Sequence, residues 1–282
     1  MPSRPLLPES EFVNTTHSGS VPAWRRQVLR ETVAGLVGDG RGHYQALARA
    51  NLKRWASQAK PSKPAMLVLP GDWGEVTSRL TKEHGKTFAV LNMANAYVAG
   101  GGYLEGMVSQ EENMFRRTDC HFSIDESHLA EDGRIYQPDM TARIEGESGQ
   151  VYLDLAEARV CVRGPEVVGR MEGYEWLRDD DVFPFYELRA AARDYRNGDA
   201  FDHEDARRRI CAQLETLTEA KQRNVVLGAS GCGAFANPAA AIAKIYKEEL
   251  TDRLGAFDCV AFAIFSAGYG PGNYPIFRRV FD

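Results

Sequence analysis

Three consecutive glycines, Gly100 to Gly102, follow an apolar run, Phe88 to Met93, that ends at Asn95. Glycine adds no side chain to a hydrophobic core, and it loses more conformational entropy on folding than any other residue. A glycine triplet therefore indicates backbone that another group approaches closely. The free N–H groups of such a loop form a concave surface that binds anions, phosphates above all.

Two carboxylates lie close behind this loop. Glu111 and Glu112, preceded by Gln110, follow the triplet after a short spacer. Carboxylates beside an anion-binding loop indicate acid–base chemistry on a phosphorylated ligand. Adjacent helical residues point about 100° apart. We therefore expect both glutamates on a loop or in the first turn before a helix over Asn113–Cys120.

Composition excludes several other classes of protein. The chain has 282 residues, 44% of them hydrophobic and 26% charged, which is typical of a globular domain. A net charge of −5 provides no basic field for nucleic acid or membrane. Five scattered cysteines without CxxC spacing favour free thiols in a reducing compartment. Because the first residues also lack the apolar core of a signal peptide, we expect a cytoplasmic protein, with a secreted effector as the alternative.

Short apolar runs alternate with helical patterns along the chain. Runs typical of strands covered on both faces are residues 66–69, 88–92, 151–155, 158–162, 182–185, 224–228 and 259–265. Helical periodicity covers residues 24–37, 44–56, 75–84, 187–195, 203–220 and 238–254. Residues 123–149 are polar and acidic and predict a surface excursion. The alternation predicts an α/β fold with helices on both faces of the sheet.

A second glycine-rich loop, residues 228–238, joins a predicted strand to a predicted helix. Strand, glycine-rich turn and helix N-terminus together form an arrangement that binds pyrophosphate. No Gly-Lys-Ser/Thr follows, so nucleoside triphosphate hydrolysis is disfavoured. For this loop alone, a turn without a ligand is an equal alternative. Two such loops at the carboxyl ends of strands favour a shared ligand crevice.

The glycine triplet with Gln110, Glu111 and Glu112 is similar to the signature of poly(ADP-ribose) glycohydrolases, whose catalytic domain is a macrodomain. Residues 91–102 resemble the macrodomain ADP-ribose loop, and residues 228–237 resemble the diphosphate loop of the microbial enzymes. The resemblance extends from about residue 24 to the end of the chain. Val98-Ala99 departs from the Asn-Pro that microbial members commonly carry, and residues 125–181 have no close counterpart.

The resemblance implies a three-layer α/β/α, macrodomain-like mixed sheet. Residues 1–23 would be an extended arm, and residues 24–282 one domain with a helical extension over 24–60. Glu112 would be the acid/base, and Glu111 would hold ribose hydroxyls. Gln110 would be a positioning residue behind these glutamates. No metal or cofactor is implied. The substrate-binding residues implied are Asn95, Gly100, Gly101, Gly102, Ser230, Gly231, Cys232, Gly233, Ala234 and Phe235.

Several implied roles have alternatives. Asp72 resembles the macrodomain acid that accepts from the adenine amino group, but it equally suits a helix N-cap. Phe235 would cover the ribose or simply anchor its loop. Asn273 would border the adenine, although the aromatic residues around it suit closing the core equally well. Arg116 and Arg117 would steer a diphosphate or lie as ordinary arginines on a helix surface.

The activity implied is hydrolysis of the ribose–ribose O-glycosidic bond of poly(ADP-ribose), which releases ADP-ribose. One alternative is removal of single ADP-ribose units from protein, for example from arginine. Another is a non-catalytic reader that only binds ADP-ribose. The expected partners are thus ADP-ribose, its polymer or ADP-ribosylated protein, without nucleic acid or membrane.

Overall fold

The computed structural model describes residues 20–61, 63–167, 169–253, 255–266 and 272–282. Its helices are α1 (Val21–Leu36), α2 (Asp39–Gln58), α3 (Trp73–His84), α4 (Gln110–Arg117), α5 (Pro138–Ile144), α6 (His203–Glu219), α7 (Ala239–Thr251) and α8 (Asn273–Phe281). Its strands are β1 (Ala65–Pro70), β2 (Phe88–Met93), β3 (Tyr152–Cys161), β4 (Glu166–Val167), β5 (Glu172–Gly173), β6 (Phe183–Ala190), β7 (Asn224–Leu227) and β8 (Cys259–Ile264).

Six strands form one sheet in the order β1-β8-β7-β2-β6-β3. The neighbouring strands pair in parallel except β3, which runs antiparallel to β6 at the edge. Strands β4 and β5 form a separate small hairpin. A parallel sheet needs cover on both faces, which explains the continuous apolar runs in the sequence.

The two faces of the sheet carry different helices. Phe88 and Val90 of β2 join a core cluster with residues of α1 to α4. The alternate residues Ala89 and Leu91 join a second cluster with residues of α6, α7 and α8. This is the alternation that a strand between two helical layers requires. The predicted α/β/α mixed sheet is confirmed.

The helix predicted over residues 187–195 is wrong. Strand β6 continues through Glu187 to Ala190, paired with β2 on one side and β3 on the other. Glu187 and Arg189 are both buried and form an ion pair of 2.8 Å within the strand. Two predicted strands, 151–155 and 158–162, are halves of the single strand β3, whose register shifts between Asp154 and Arg159.

Other boundaries differ less from prediction. The helical extension begins at Val21, while residues 1–19 of the predicted arm and Leu254 of a predicted helix lie outside the described residues. The predicted surface excursion contains α5, whose Met140 and Ile144 are buried against the main core. Part of the excursion is therefore core rather than surface.

Strands β2 and β7 bring both glycine-rich loops to one edge of the sheet. They are parallel neighbours, with Ala89 opposite Val225 and Val90 opposite Val226. Residues 94–109 and residues 228–238 both leave from the carboxyl ends of these strands. This edge is where open α/β sheets bind ligands.

Candidate functional site

Glu111 and Glu112 lie in the first turn of α4, which begins at Gln110, so they are inside the helix rather than before a helix over 113–120 as predicted. Glu111 Oε2 accepts from the Asn95 N–H at 2.7 Å, and Glu112 Oε1 accepts from the Gly102 N–H at 3.0 Å. Each glutamate is thus tied to the backbone of the loop that follows β2. Both side chains are buried, and their other oxygens, Glu111 Oε1 and Glu112 Oε2, have no partner within the described part of the chain.

Gly101 lies between the two carboxylates. A Cβ atom at this position would lie 2.6 Å from Glu112 Oε1 and 2.9 Å from Glu111 Oε2. Its φ of +59° also belongs to the left-handed region, which favours glycine. Residue 101 must therefore be glycine mainly because the backbone lies directly against the two glutamates.

The other two glycines fit against neighbouring side chains. A Cβ at Gly100 would lie 2.7 Å from the Tyr103 ring, and one at Gly102 would lie 2.5 Å from Met107 Cγ. Each glycine of the triplet therefore lies against a neighbouring side chain. This packing holds the Gly102 N–H next to Glu112.

Gln110 and Asn95 hold the ends of the same loop. The Gln110 side chain accepts from the Met93 N–H and donates to the Leu91 carbonyl, both at 2.8 Å, so it extends the edge of β2. Asn95 Oδ1 accepts from the N–H groups of Tyr97 and Val98 and forms a turn. Asn95 Nδ2 makes no bond to any described residue.

The surroundings of Glu111 favour the protonated form of its carboxyl group. The pKa of Glu111 is raised well above its usual range, first by burial and then by the neighbouring charge of Glu112. The Asn95 N–H and the more distant Arg189 oppose this rise. The Glu111 carboxyl group therefore favours its protonated form more than an ordinary glutamate does.

The second loop presents a row of free N–H groups. Within the described residues, the backbone N–H groups of Gly231, Gly233, Ala234 and Phe235 donate no hydrogen bond. Gly233 and Ala234 are exposed. Consecutive unpaired N–H groups are the chemical requirement for an anion site.

Asn237 holds this loop in shape, and sequence reasoning missed it. Its Nδ2 donates to the carbonyls of Arg193, Gly231 and Phe235, at 2.8, 3.2 and 3.3 Å. Gly231 has a φ of +70°, and a Cβ there would lie 2.4 Å from Asn237 Nδ2. The only sign of this role in the sequence is that Gly231 is followed, within the same loop, by an asparagine.

Ser230, Cys232 and Phe235 have distinct surroundings. Ser230 is buried, and burial raises the pKa of the Cys232 thiol to about 12, so Cys232 is a protonated thiol at neutral pH. The Phe235 ring is partly exposed and has the Arg196 guanidinium 5.4 Å from its centre. The Phe235 carbonyl accepts from the Tyr195 N–H, which attaches the loop to the segment after β6.

Asp72 is a helix N-cap, while its role towards adenine stays a prediction. Asp72 caps α3, where Oδ1 accepts from the Glu75 N–H at 2.7 Å in a capping box. Its Oδ2 forms an ion pair with Arg117. Because both carboxylate oxygens have partners, Asp72 is a helix N-cap with a buried counter-ion.

Two further expectations are corrected or refined by packing. Arg116 and Arg117 are fully buried rather than on a helix surface or free to steer a ligand. Asn273 is the first residue of α8 and partly buried, while Phe277 of the same helix is completely buried in the second core cluster. The aromatic residue Phe277 therefore closes the core.

The described residues contain no group of three or more His, Cys, Asp or Glu side chains arranged to hold a metal ion. None of the described helices is long and apolar enough to cross a lipid bilayer. The chemistry available at this edge of the sheet is that of carboxyl groups and backbone N–H groups.

The chain was compared with known proteins. Residues 28–144 match the family model described as microbial-type PARG (poly(ADP-ribose) glycohydrolase), catalytic domain. A search of curated proteins found no match.

Solved structures share the fold. The PARG of Thermomonospora curvata is similar over 91% of this chain and 99% of its own, with a TM-score of 0.62 and 22% identity. Its complex with the inhibitor ADP-HPD covers 90% of this chain and 98% of its own, at 0.59 and 21%. The PARG of Deinococcus radiodurans in complex with ADP-ribose covers 85% of this chain and 91% of its own, at 0.53 and 21%.

These comparisons confirm the resemblance to poly(ADP-ribose) glycohydrolases at the level of the chain and its fold. The matched range includes the glycine triplet and Glu112, and the structural similarity extends over nearly the whole chain. Residues 28–144 are similar to the catalytic domain of microbial-type PARG, and the chain as a whole has the fold of the bacterial PARG structures.

Proposed function

We propose that this protein hydrolyses the O-glycosidic ribose–ribose bond of poly(ADP-ribose) and releases ADP-ribose. The observation that carries the proposal is the pair of buried carboxylates around Gly101, at the same edge of the sheet as a loop with free N–H groups. Hydrolysis of a phosphorylated glycoside requires an acid–base pair beside an anion-binding site.

The proposed substrate lies across both loops. The diphosphate accepts from the free N–H groups of Gly233, Ala234 and Phe235, where the loop also approaches the N-terminus of α7. The distal ribose then lies over the end of β2, within reach of the Asn95 amide and beneath the partly exposed Phe235 ring. Nothing in this arrangement requires a metal or a cofactor.

Glu112 is proposed as the acid/base. Cleavage passes through an oxocarbenium-like state, so the leaving ribose oxygen needs a proton and the attacking water must lose one. One carboxyl group performs both transfers in turn. The Gly102 N–H fixes Oε1 of Glu112, which leaves the unpartnered Oε2 for the proton. Glu111 would hold the ribose hydroxyls through its unpartnered Oε1.

Turnover of purified polymer by matched variants tests the proposal. We expect Glu112→Gln to lower kcat by about 10²–10⁴-fold, because general acid–base catalysis contributes about that much. Glu105→Gln is the control, since Glu105 is an exposed carboxylate on the same loop whose side chain pairs with Arg134. Equal turnover by wild type and Glu112→Gln would contradict the proposed mechanism.

The same assays separate the other candidate functions. Release of ADP-ribose from mono-modified arginine protein, without release from polymer, would select the mono-ADP-ribosyl hydrolase. Binding of ADP-ribose by calorimetry, without release from either substrate, would select the non-catalytic reader. Either outcome would reject the polymer hydrolase while leaving the ADP-ribose site in place.

A further inference from the structure

The loop between the glycine triplet and the glutamate pair, residues 103–109, is held by two arginines, of which Arg116 is buried and Arg25 is partly buried. Arg116 Nη1 donates to the Met107 carbonyl at 2.9 Å, and Arg25 Nη1 of α1 donates to the Gly106 carbonyl at 3.4 Å. Gly106 also packs directly on α1, since a Cβ there would lie 2.2 Å from the Pro22 carbonyl oxygen. The N-terminal helix therefore contacts the loop that precedes the glutamates.

The same two arginines are joined to each other through Glu166 and Tyr174. Arg25 Nη2 donates to Glu166 Oε1 at 2.6 Å. The Tyr174 hydroxyl donates to Glu166 Oε2 at 2.8 Å and accepts from Arg116 Nε at 3.0 Å. Glu166 lies in the β4–β5 hairpin and Tyr174 directly after it, within residues 125–181, to which the sequence assigned no role.

This series of hydrogen bonds continues to Glu112 through the loop backbone. The Met107 N–H donates to the Gly102 carbonyl at 3.0 Å, and the Gly102 N–H donates to Glu112 at 3.0 Å. Arg116 also lies one helical turn after Glu112 on α4. A displacement of Met107 would therefore move the hydrogen-bond donor that orients the carboxylate.

Stability alone gives a poor reason for these buried charges. Arg116 is completely buried, and its Nη2 finds no partner among the described residues. Removing ionic groups from water costs several kcal/mol per ion, so a buried pair often contributes little net stability. Around Met107 and Val108, which are 58% and 55% exposed, the loop itself has little apolar packing to fix it.

We propose that Arg25, Glu166, Tyr174 and Arg116 form a positioning network for Glu112. The network fixes the 103–109 loop and, through Met107 and Gly102, the direction of the Glu112 carboxylate. In its catalytic consequence this inference rests on the proposed function. It also assigns a role to the β4–β5 hairpin and to the start of α1.

Tyr174→Phe tests the network, because it removes one hydroxyl and keeps the ring that packs against Trp24. We expect kcat to fall about tenfold or more, since a misplacement of about 1 Å costs up to about 100-fold. The KM for polymer and the Kd for ADP-ribose should stay within about twofold of wild type. Amide hydrogen exchange at Gly102 and Met107 should accelerate at least about tenfold.

The control is Thr77→Val, which removes another buried hydroxyl, one that donates to the Trp73 carbonyl in α3. If Thr77→Val lowers kcat as much as Tyr174→Phe does, the effect is general destabilisation and the inference is overturned. Unchanged kcat and unchanged exchange in Tyr174→Phe would overturn it as well. If the wild-type protein does not cleave polymer, the proposed function fails, while the exchange rates still test the network.

A double-mutant cycle provides the second test. Arg25→Met and Tyr174→Phe each break the network at Glu166, so their effects on kcat should not multiply. We expect the double variant to be no slower than the slower single variant by more than about twofold. Effects that multiply would show that the two residues act independently and would contradict a network.

Discussion

Gly101→Ala is the substitution whose consequence the geometry states most precisely in advance. The new Cβ would lie 2.6 Å from Glu112 Oε1 and 2.9 Å from Glu111 Oε2, so both carboxylates must move by roughly half an ångström or more to reach ordinary contact. The φ of +59° adds a backbone cost of about 1–2 kcal/mol. Both carboxylates belong to α4, and each accepts one hydrogen bond from the loop, Glu111 from the Asn95 N–H and Glu112 from the Gly102 N–H. They therefore cannot move apart without losing those bonds.

We expect a loss in kcat of about 100-fold, because a displacement on the order of 1 Å at the reacting group has that effect. This corresponds to about 2.7 kcal/mol in the activation barrier. The assay is turnover of polymer under saturating conditions, together with thermal unfolding to confirm that the variant folds.

Gly133→Ala is the matched control. Gly133 has a similar φ of +69°, and a Cβ there would have no neighbour within 4 Å. Gly133→Ala thus measures the backbone cost alone, and we expect kcat to stay within about twofold of wild type. If Gly101→Ala retains the kcat of Gly133→Ala, the two carboxylates do not depend on the glycine for their placement, and the reasoning is refuted.

Three other predictions concern residues around the site. Asp72→Asn keeps a capping side chain but leaves Arg117 buried without a counter-ion, so we expect a loss of about 3–5 kcal/mol in unfolding free energy by urea denaturation. A selective loss of ADP-ribose affinity at unchanged stability would instead support the adenine role. Burial lowers the pKa of His121 to about 4, below its usual 6.5. The folded state therefore resists protonation, and stability should fall by up to about 3 kcal/mol as the pH drops from 6.5 to 4. His121→Gln should lack this part of the pH dependence. Asn237→Ala releases two carbonyls of the second loop and the Arg193 carbonyl, and calorimetry should show ADP-ribose affinity reduced about tenfold or more at unchanged kcat; unchanged affinity would remove this loop from the site.

The sequence predicted those parts of the fold whose signal is local. Strands β2, β7 and β8 are continuous apolar runs because both faces of each are covered. The sequence predicted that Glu111 and Glu112 lie near the start of a helix, whereas the helix begins earlier than expected, at Gln110, and includes both residues. The joint position of the two glycine-rich loops followed from strand polarity, which the parallel pairing of β2 and β7 confirms.

The parts that sequence reasoning missed depend on distant partners. Residues 187–195 were predicted as a helix because the pairing of Glu187 with Arg189 inside β6 leaves no local signal. Arg25 and Glu166 are separated by 141 positions, so nothing in either segment predicted their contact. Asp72 suits both a cap and a ligand in sequence, and its ion pair with Arg117 could not be predicted because the two residues are far apart in the chain.

A crystal structure of the protein with ADP-ribose tests the central claim most directly. We predict that the diphosphate contacts the N–H groups of Gly233, Ala234 and Phe235 and that the distal ribose C1″ lies within about 4 Å of the Glu112 carboxyl group. ADP-ribose bound away from these loops, or with its distal ribose directed away from Glu112, would contradict the account.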